Sequence, residues 1–172
     1  ALIAADARDP APGYACREGS VPARYLTVWA SSDPVRRHPP GTGLRIGNRH
    51  SLILEIHYHD DGSGRPDQTQ VELELAESVE RPATVWPLAP PDFGLPPGQR
   101  RARVGATTAR LDKDVLVWGV RAHMHGLGRT ALVSHVESGA PGCLLKIPRW
   151  DPSWQLMYFY ESAIPVRSGS QL

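Results

Sequence analysis

Ser51-Leu52-Ile53-Leu54-Glu55-Ile56-His57-Tyr58-His59 is the stretch that decides the fold. It combines β-branched, aliphatic and aromatic residues with no helical period, and it runs into Asp60-Asp61-Gly62-Ser63-Gly64, a turn composition. It is the strongest strand candidate in the chain. Further along, Gln70-Val71-Glu72-Leu73-Glu74-Leu75-Ala76 alternates polar and apolar residues, the pattern of a strand with one wet face. Residues 101–111 and 115–124 read as two more strands, separated by Asp112-Lys113-Asp114. Residues 130–136 and 144–147 read as a hairpin around Glu137-Ser138-Gly139-Ala140-Pro141-Gly142, and residues 154–160 as an aromatic strand. A short β-rich segment, Tyr25 to Ala30, comes earlier, while residues 1–24 carry turn signals without an apolar stripe.

The composition agrees with this pattern. The 172 residues include 16 Gly and 17 Pro spread along the chain, which suits short strands joined by turns because Pro is excluded from helix interiors and central strands. Hydrophobic residues make up 41% and charged residues 22%, enough apolar material for a core and too much for wholesale disorder. A formal net charge of +1 gives no electrostatic reason to expect nucleic acid or an anionic membrane as partner. No apolar run is long enough to span a bilayer. The expected fold class is all-β, of sandwich or jelly-roll type, with a boundary between two β domains near Arg81. The chain begins Ala1-Leu2-Ile3, and Ile164 to Leu172 reads as a turn entering another strand, so we expect a piece of a longer chain.

Among the seven histidines, His57 and His59 form one His-x-His pair and His123 and His125 a second. Residues two apart on a strand share a face and lie roughly 6.5 to 7 Å apart along the backbone. Two imidazoles at that spacing can lean onto one ion with bonds of about 2 Å. One such motif is weak, since polar strand faces often carry two histidines; two in apolar strands are more specific, because an unpaired imidazole is costly to bury. Affinity ordering for imidazole ligands puts copper first, ahead of zinc and nickel. Arg121 shares the face of His123 and His125 and can offer a fixed positive charge to an anionic substrate group. Met124 points the other way and reads as core, as does Met157 among its aromatic neighbours. Gly126 and Gly128 allow a sharp turn after the second pair. His38 and His50 read as loop residues, and His135 as a hydrogen-bonded structural residue. There is no Gly-x-Ser-x-Gly elbow, phosphate-binding glycine loop, Cys-x-x-Cys ribbon or His-Glu-x-x-His helix. Cys16 and Cys143 are compatible with one disulfide, two thiols or bridges to other segments.

Taken in order, several segments resemble the copper type II, ascorbate-dependent monooxygenases, the family of peptidylglycine α-hydroxylating and dopamine β-monooxygenases. The strand Leu52 to Tyr58 is similar to the family strand that carries a copper ligand. Trp29 and Pro40-Gly41-Thr42-Gly43-Leu44-Arg45-Ile46-Gly47 resemble the segment leading into it. Leu95-Pro96-Pro97-Gly98 is similar to the turn that opens the second domain. Arg121-Ala122-His123-Met124-His125-Gly126-Leu127-Gly128-Arg129 resembles the His-x-His copper motif, and Trp150-Asp151 with Trp154 to Tyr158 the segment that follows in bacterial relatives.

The resemblance implies two tandem jelly-roll domains, both incomplete here: residues 1–81 as the end of the first and 82–172 as the start of the second. It implies two copper ions per complete protein, with His57 on the electron-transfer copper and His123 and His125 on the oxygen-activating copper. It leaves His59 without a family counterpart. It matches Arg121 to a substrate-carboxylate arginine, with no catalytic residue beyond the metal ligands. It also implies ascorbate as electron donor, dioxygen and a small-molecule or peptide as substrates, and a secreted or periplasmic location with a disulfide bond. A His-His pair before Ala1 and a Met after Leu172 would complete the two sites. Departures from the family are Glu55 where the peptide-acting enzymes have Gln, and the lack of a cysteine near Thr107. A non-catalytic copper-binding β-sandwich, or a structural or ligand-binding jelly roll, are the other readings the residues allow.

Overall fold

The computed structural model describes residues 24–30, 33, 35–58, 62–66, 68–90 and 93–172. Its described residues contain strands and no helix, so the chain is all-β there. No helix among the described residues is long and apolar enough to cross a membrane. The strands are β1 (Thr42–Leu44), β2 (Arg81–Ala83), β3 (Val115–Val120), β4 (Ala131–Glu137), β5 (Ala140–Ile147) and β6 (Tyr158–Val166). They pair as β1 with β2 in parallel, and β3 with β6 and β4 with β5 antiparallel.

The hairpin β4–β5 forms where the sequence predicts one, but its turn is tighter. Glu137 pairs with Ala140, and only Ser138 and Gly139 lie between, both at positive φ (50° and 85°). Two consecutive left-handed residues make the type I′ geometry, whose twist matches that of the flanking strands. Between Val133 and Ser134 the register slips by one, leaving Leu144 unpaired opposite them. That bulge carries Leu144 into the core, where it is buried, and frees its carbonyl to accept the Tyr160 hydroxyl at 2.6 Å. The β3–β6 ladder also shifts register, between Val117 and Gly119. Gly119 sits there against the Tyr158 carbonyl, where a Cβ would lie 2.8 Å from that oxygen.

The last residues tie the two antiparallel pairs together. After β6, Gly169 and Ser170 exchange backbone hydrogen bonds with Leu111, and Thr108 N–H donates to the Leu172 carbonyl at 2.9 Å. Gln171 bridges to Val136 of β4 with bonds of 2.8 and 3.1 Å. Among the described residues Leu111, Leu144, Trp150 and Val166 are the buried apolar ones, and Thr108 and Ser170 of this seam are buried as well. Residues 101–111 therefore join the fold through Thr108 and Leu111 rather than as the strand expected there.

The segments that looked most strand-like are not laddered. Residues 51–58 and 70–76 form no β-bridge, and Leu52, Ile53, Leu54, Ile56, Val71, Leu73 and Leu75 are exposed. Apolar alternation says which faces a strand would bury, but a ladder needs a partner strand, and no described residue supplies one. Residues 24–30 likewise form no ladder. Near the expected boundary, Arg81 opens β2, pairs with Thr42 and stacks its guanidinium over the Trp118 ring, 5.6 Å from the centroid.

Candidate metal centre

The strand expected to run to Met124 ends at Val120, so His123 and His125 lie just beyond β3 in a segment without a ladder. Their rings meet edge to face, with centroids 5.1 Å apart and planes at 86°. An imidazole that ligates through one nitrogen at about 2 Å places its centroid about 3 Å from the ion, so two rings on one ion stand about 4 to 6 Å apart. The pair fits two positions of a donor set. Both residues are exposed, while Met124 between them is half-buried, so the alternation expected of an extended segment is present. The chain then turns at once, with Gly128 N–H donating to the His125 carbonyl at 2.9 Å. Neither Gly126 nor Gly128 has a positive φ. Gly128 is there for space instead: a Cβ would stand 2.8 Å from the Trp150 ring and 2.9 Å from Met124 Cβ.

The first polar neighbour of His123 is Gln155, whose side-chain oxygen Oε1 lies 2.5 Å from Nδ1. The β3–β6 register explains the meeting. Gly119 faces Phe159 and Val120 faces Tyr158, and extending that register by three residues sets His123 opposite Gln155. Sequence reading did not pick out Gln155, because this pairing follows only from the register beyond the shift.

Two residues closer to the ladder, Arg121 is engaged by Asp33. Its Nη1 donates to Asp33 Oδ2 at 2.6 Å and to the Val28 carbonyl at 2.8 Å. The Asp33 carboxylate is 2% exposed and the Arg121 side chain 9%. Asp33 also accepts from Arg36 Nη2 at 3.0 Å, Ala30 N–H at 3.1 Å and Met157 N–H at 3.2 Å. Arg121 Nε is buried and has no hydrogen-bond partner among the described residues. Burial, reinforced by the charge of Arg121 and opposed by that of Asp33, lowers the Arg36 pKa. Partial burial and then the Arg36 charge lower that of His38. A shallow cavity of about 250 Å³ opens here, lined by Asp33, Val35, Arg36, Arg37, Met157 and Phe159.

His57 stands apart from this cluster. It is exposed, and its Nε2 lies 2.7 Å from Glu55 Oε1, the neighbour two residues earlier. His59 and Cys16 lie outside the described residues, and Cys143 is an exposed thiol. His135 is half-buried against Gly142, and its Nδ1 has no hydrogen-bond partner among the described residues. No group of three or more His, Cys, Asp or Glu that could hold a metal forms among the described residues, and among these His123 and His125 stand as a pair. Compared with protein families, curated proteins and solved structures, the chain matches none of them.

Proposed function

We propose that this chain is the central part of a copper-dependent, ascorbate-driven monooxygenase, with residues 1–81 and 82–172 belonging to two jelly-roll domains. The observation that supports it most directly is the edge-to-face pair His123–His125, with centroids 5.1 Å apart on one face of an extended segment. Copper held there, reduced by ascorbate, would supply the one-electron chemistry that lets dioxygen hydroxylate a substrate C–H bond. His123 and His125 hold two positions on the ion. His57 serves the second copper, where the carboxylate of Glu55 can orient its ring. Arg121 serves an anionic substrate group, as the resemblance implies, with its guanidinium held in place by Asp33 Oδ2 and the Val28 carbonyl. The floor of Met157 and Phe159 beside Arg36 and Arg37 suits a substrate with an apolar part next to its anionic group. The remaining ligands of both coppers, the secreted or periplasmic location and the disulfide belong to the same proposal.

The test is copper titration and ascorbate-dependent oxygen uptake of the complete protein and its His123→Ala/His125→Ala variant. The variant should lose one copper per chain and its oxygen uptake. Equal copper content and equal uptake in the two proteins overturn the proposal.

A non-catalytic copper-binding sandwich is favoured by one observation: the Arg121 fork already has Asp33 and Val28 as partners. That reading predicts copper bound through the same two histidines with no ascorbate-driven turnover.

A further inference from the structure

We propose that Gln155 is a positioning residue for His123: it holds the proton on Nδ1 and turns Nε2 outward as the nitrogen offered to a metal ion. The inference rests on the copper reading of the His123–His125 pair, but its first part concerns the metal-free protein and stands on hydrogen bonds alone.

Three contacts carry it. Gln155 Nε2 donates to the Pro152 carbonyl at 2.7 Å, which fixes the side-chain amide with its oxygen toward His123. An amide oxygen only accepts, so the ring nitrogen that meets it at 2.5 Å, Nδ1, is the one that carries hydrogen. A neutral imidazole protonated on Nδ1 has its lone pair on Nε2, the nitrogen available to a metal. The support for Gln155 is itself anchored. Asp151 Oδ1 accepts from the Ser153 hydroxyl at 2.6 Å and from Ser153 N–H at 2.9 Å, and Trp154 N–H donates to the Asp151 carbonyl at 3.1 Å. This turn, stacked immediately before Gln155, presents the Pro152 carbonyl to it. The chain of support thus runs from the Asp151 turn through Gln155 to His123, and the register of β3 with β6 aims both ends at each other. Outer partners of this kind set ligand orientation, and their loss typically costs 10–100-fold in metal affinity.

The experiment has two arms on the intact protein. Two-bond nitrogen–proton correlation spectra of the metal-free protein, with His123 assigned by its loss in His123→Ala, report which nitrogen is protonated. Wild type and Gln155→Glu should show hydrogen on Nδ1, since a carboxylate keeps the acceptor, and Gln155→Leu should shift the balance toward hydrogen on Nε2. In the second arm, competition of Cu(II) against a chromophoric chelator should give Gln155→Leu an affinity lower by about 10-fold or more, with Gln155→Glu, which keeps the acceptor but loses the Pro152 bond, less impaired than Gln155→Leu. A wild-type His123 protonated on Nε2 overturns the inference without any variant, as does a Gln155→Leu protein with an unchanged tautomer. A changed tautomer with unchanged copper affinity overturns the positioning role. A wild-type protein that takes up no copper overturns the copper reading instead, and the tautomer arm still decides what Gln155 does.

Discussion

The guanidinium of Arg121 and the carboxylate of Asp33, 88 residues apart in sequence, meet at 2.6 Å with both side chains almost wholly buried. Asp33 accepts four hydrogen bonds there, and two of them, from Arg121 and Met157, come from adjoining positions across the extended β3–β6 register. The carboxylate therefore ties Ala30 and Arg36 to the segments that present His123 and Gln155. Removing one partner of such a pair leaves the other charge buried and unpaired, which costs roughly 3 to 5 kcal/mol. Asp33→Ala should lower stability to denaturant by about 3 kcal/mol, and Asp33→Asn, which keeps two oxygen or nitrogen positions but no charge, by less. An Asp33→Ala midpoint equal to wild type would show that the ion pair contributes nothing net.

The hairpin turn makes a paired prediction. Ser138 occupies a left-handed position that Asn tolerates better than Ser, so Ser138→Asn should stabilise by a few tenths of a kcal/mol. Gly139 at φ 85° cannot become Ala without strain, and Gly139→Ala should destabilise by about 1 kcal/mol. Thermal melts of the two variants should move in opposite directions.

Gly142, across β5 from His135, makes a steric one. A Cβ at this position would clash with Nε2 of the His135 imidazole, so Gly142→Ala must displace either the ring or the strand. The expected loss is about 1 to 3 kcal/mol. A His135→Ala background should recover most of it, and a double-mutant cycle by denaturant unfolding measures that recovery.

At the β5 bulge, Tyr160→Phe removes the hydroxyl that satisfies the Leu144 carbonyl. The loss should be about 1 kcal/mol, the usual net value of one such bond. Burial raises the pKa of this phenol, so the hydroxyl remains a donor through neutral pH. An unchanged unfolding midpoint would mean that water replaces the bond.

Asp114 supplies a pH dependence. Its carboxylate accepts from Ser168 N–H at 2.8 Å and from Arg167 at 2.9 Å, and these bonds lower its pKa from 3.8. A group with a lowered folded pKa contributes stability that is present above the unfolded pKa and is lost as pH falls through the folded value. Asp114→Asn should therefore be less stable than wild type at neutral pH, and the gap between the two melting temperatures should close as the pH falls through the lowered pKa of the folded protein. A gap that persists in acid would assign the effect to the bonding geometry rather than to the charge.

Much of the second half of the chain is legible from local pattern. A hairpin is expected around Glu137 to Gly142 and forms there with a shorter turn, and the strand expected over residues 115–124 forms over Val115–Val120 only. The alternation of His123, Met124 and His125 is legible for the same reason, since it is a property of adjacent residues. Partners distant in sequence are not. Nothing local marks Asp33 as the counterion of Arg121, and Gln155 reaches His123 only because the β3–β6 ladder slips between Val117 and Gly119. The first half misleads in the opposite direction. Leu52 to Tyr58 has every side-chain signal of a strand, but a strand is completed by backbone hydrogen bonds to another segment, and composition carries no information about whether that segment is present.

The unladdered stretches and the seam formed by residues 168–172 give the molecule two very different clocks. Amides of residues 51–58 and 70–76, with no ladder to protect them, should take up deuterium within the dead time of a manual exchange experiment. Those of Leu111, Val136 and Gln171, locked in reciprocal backbone bonds, should exchange only through cooperative opening of both antiparallel pairs. Protease digestion would follow the same division, cutting first among the early apolar segments and sparing the unit that carries His123, His125 and Gln155.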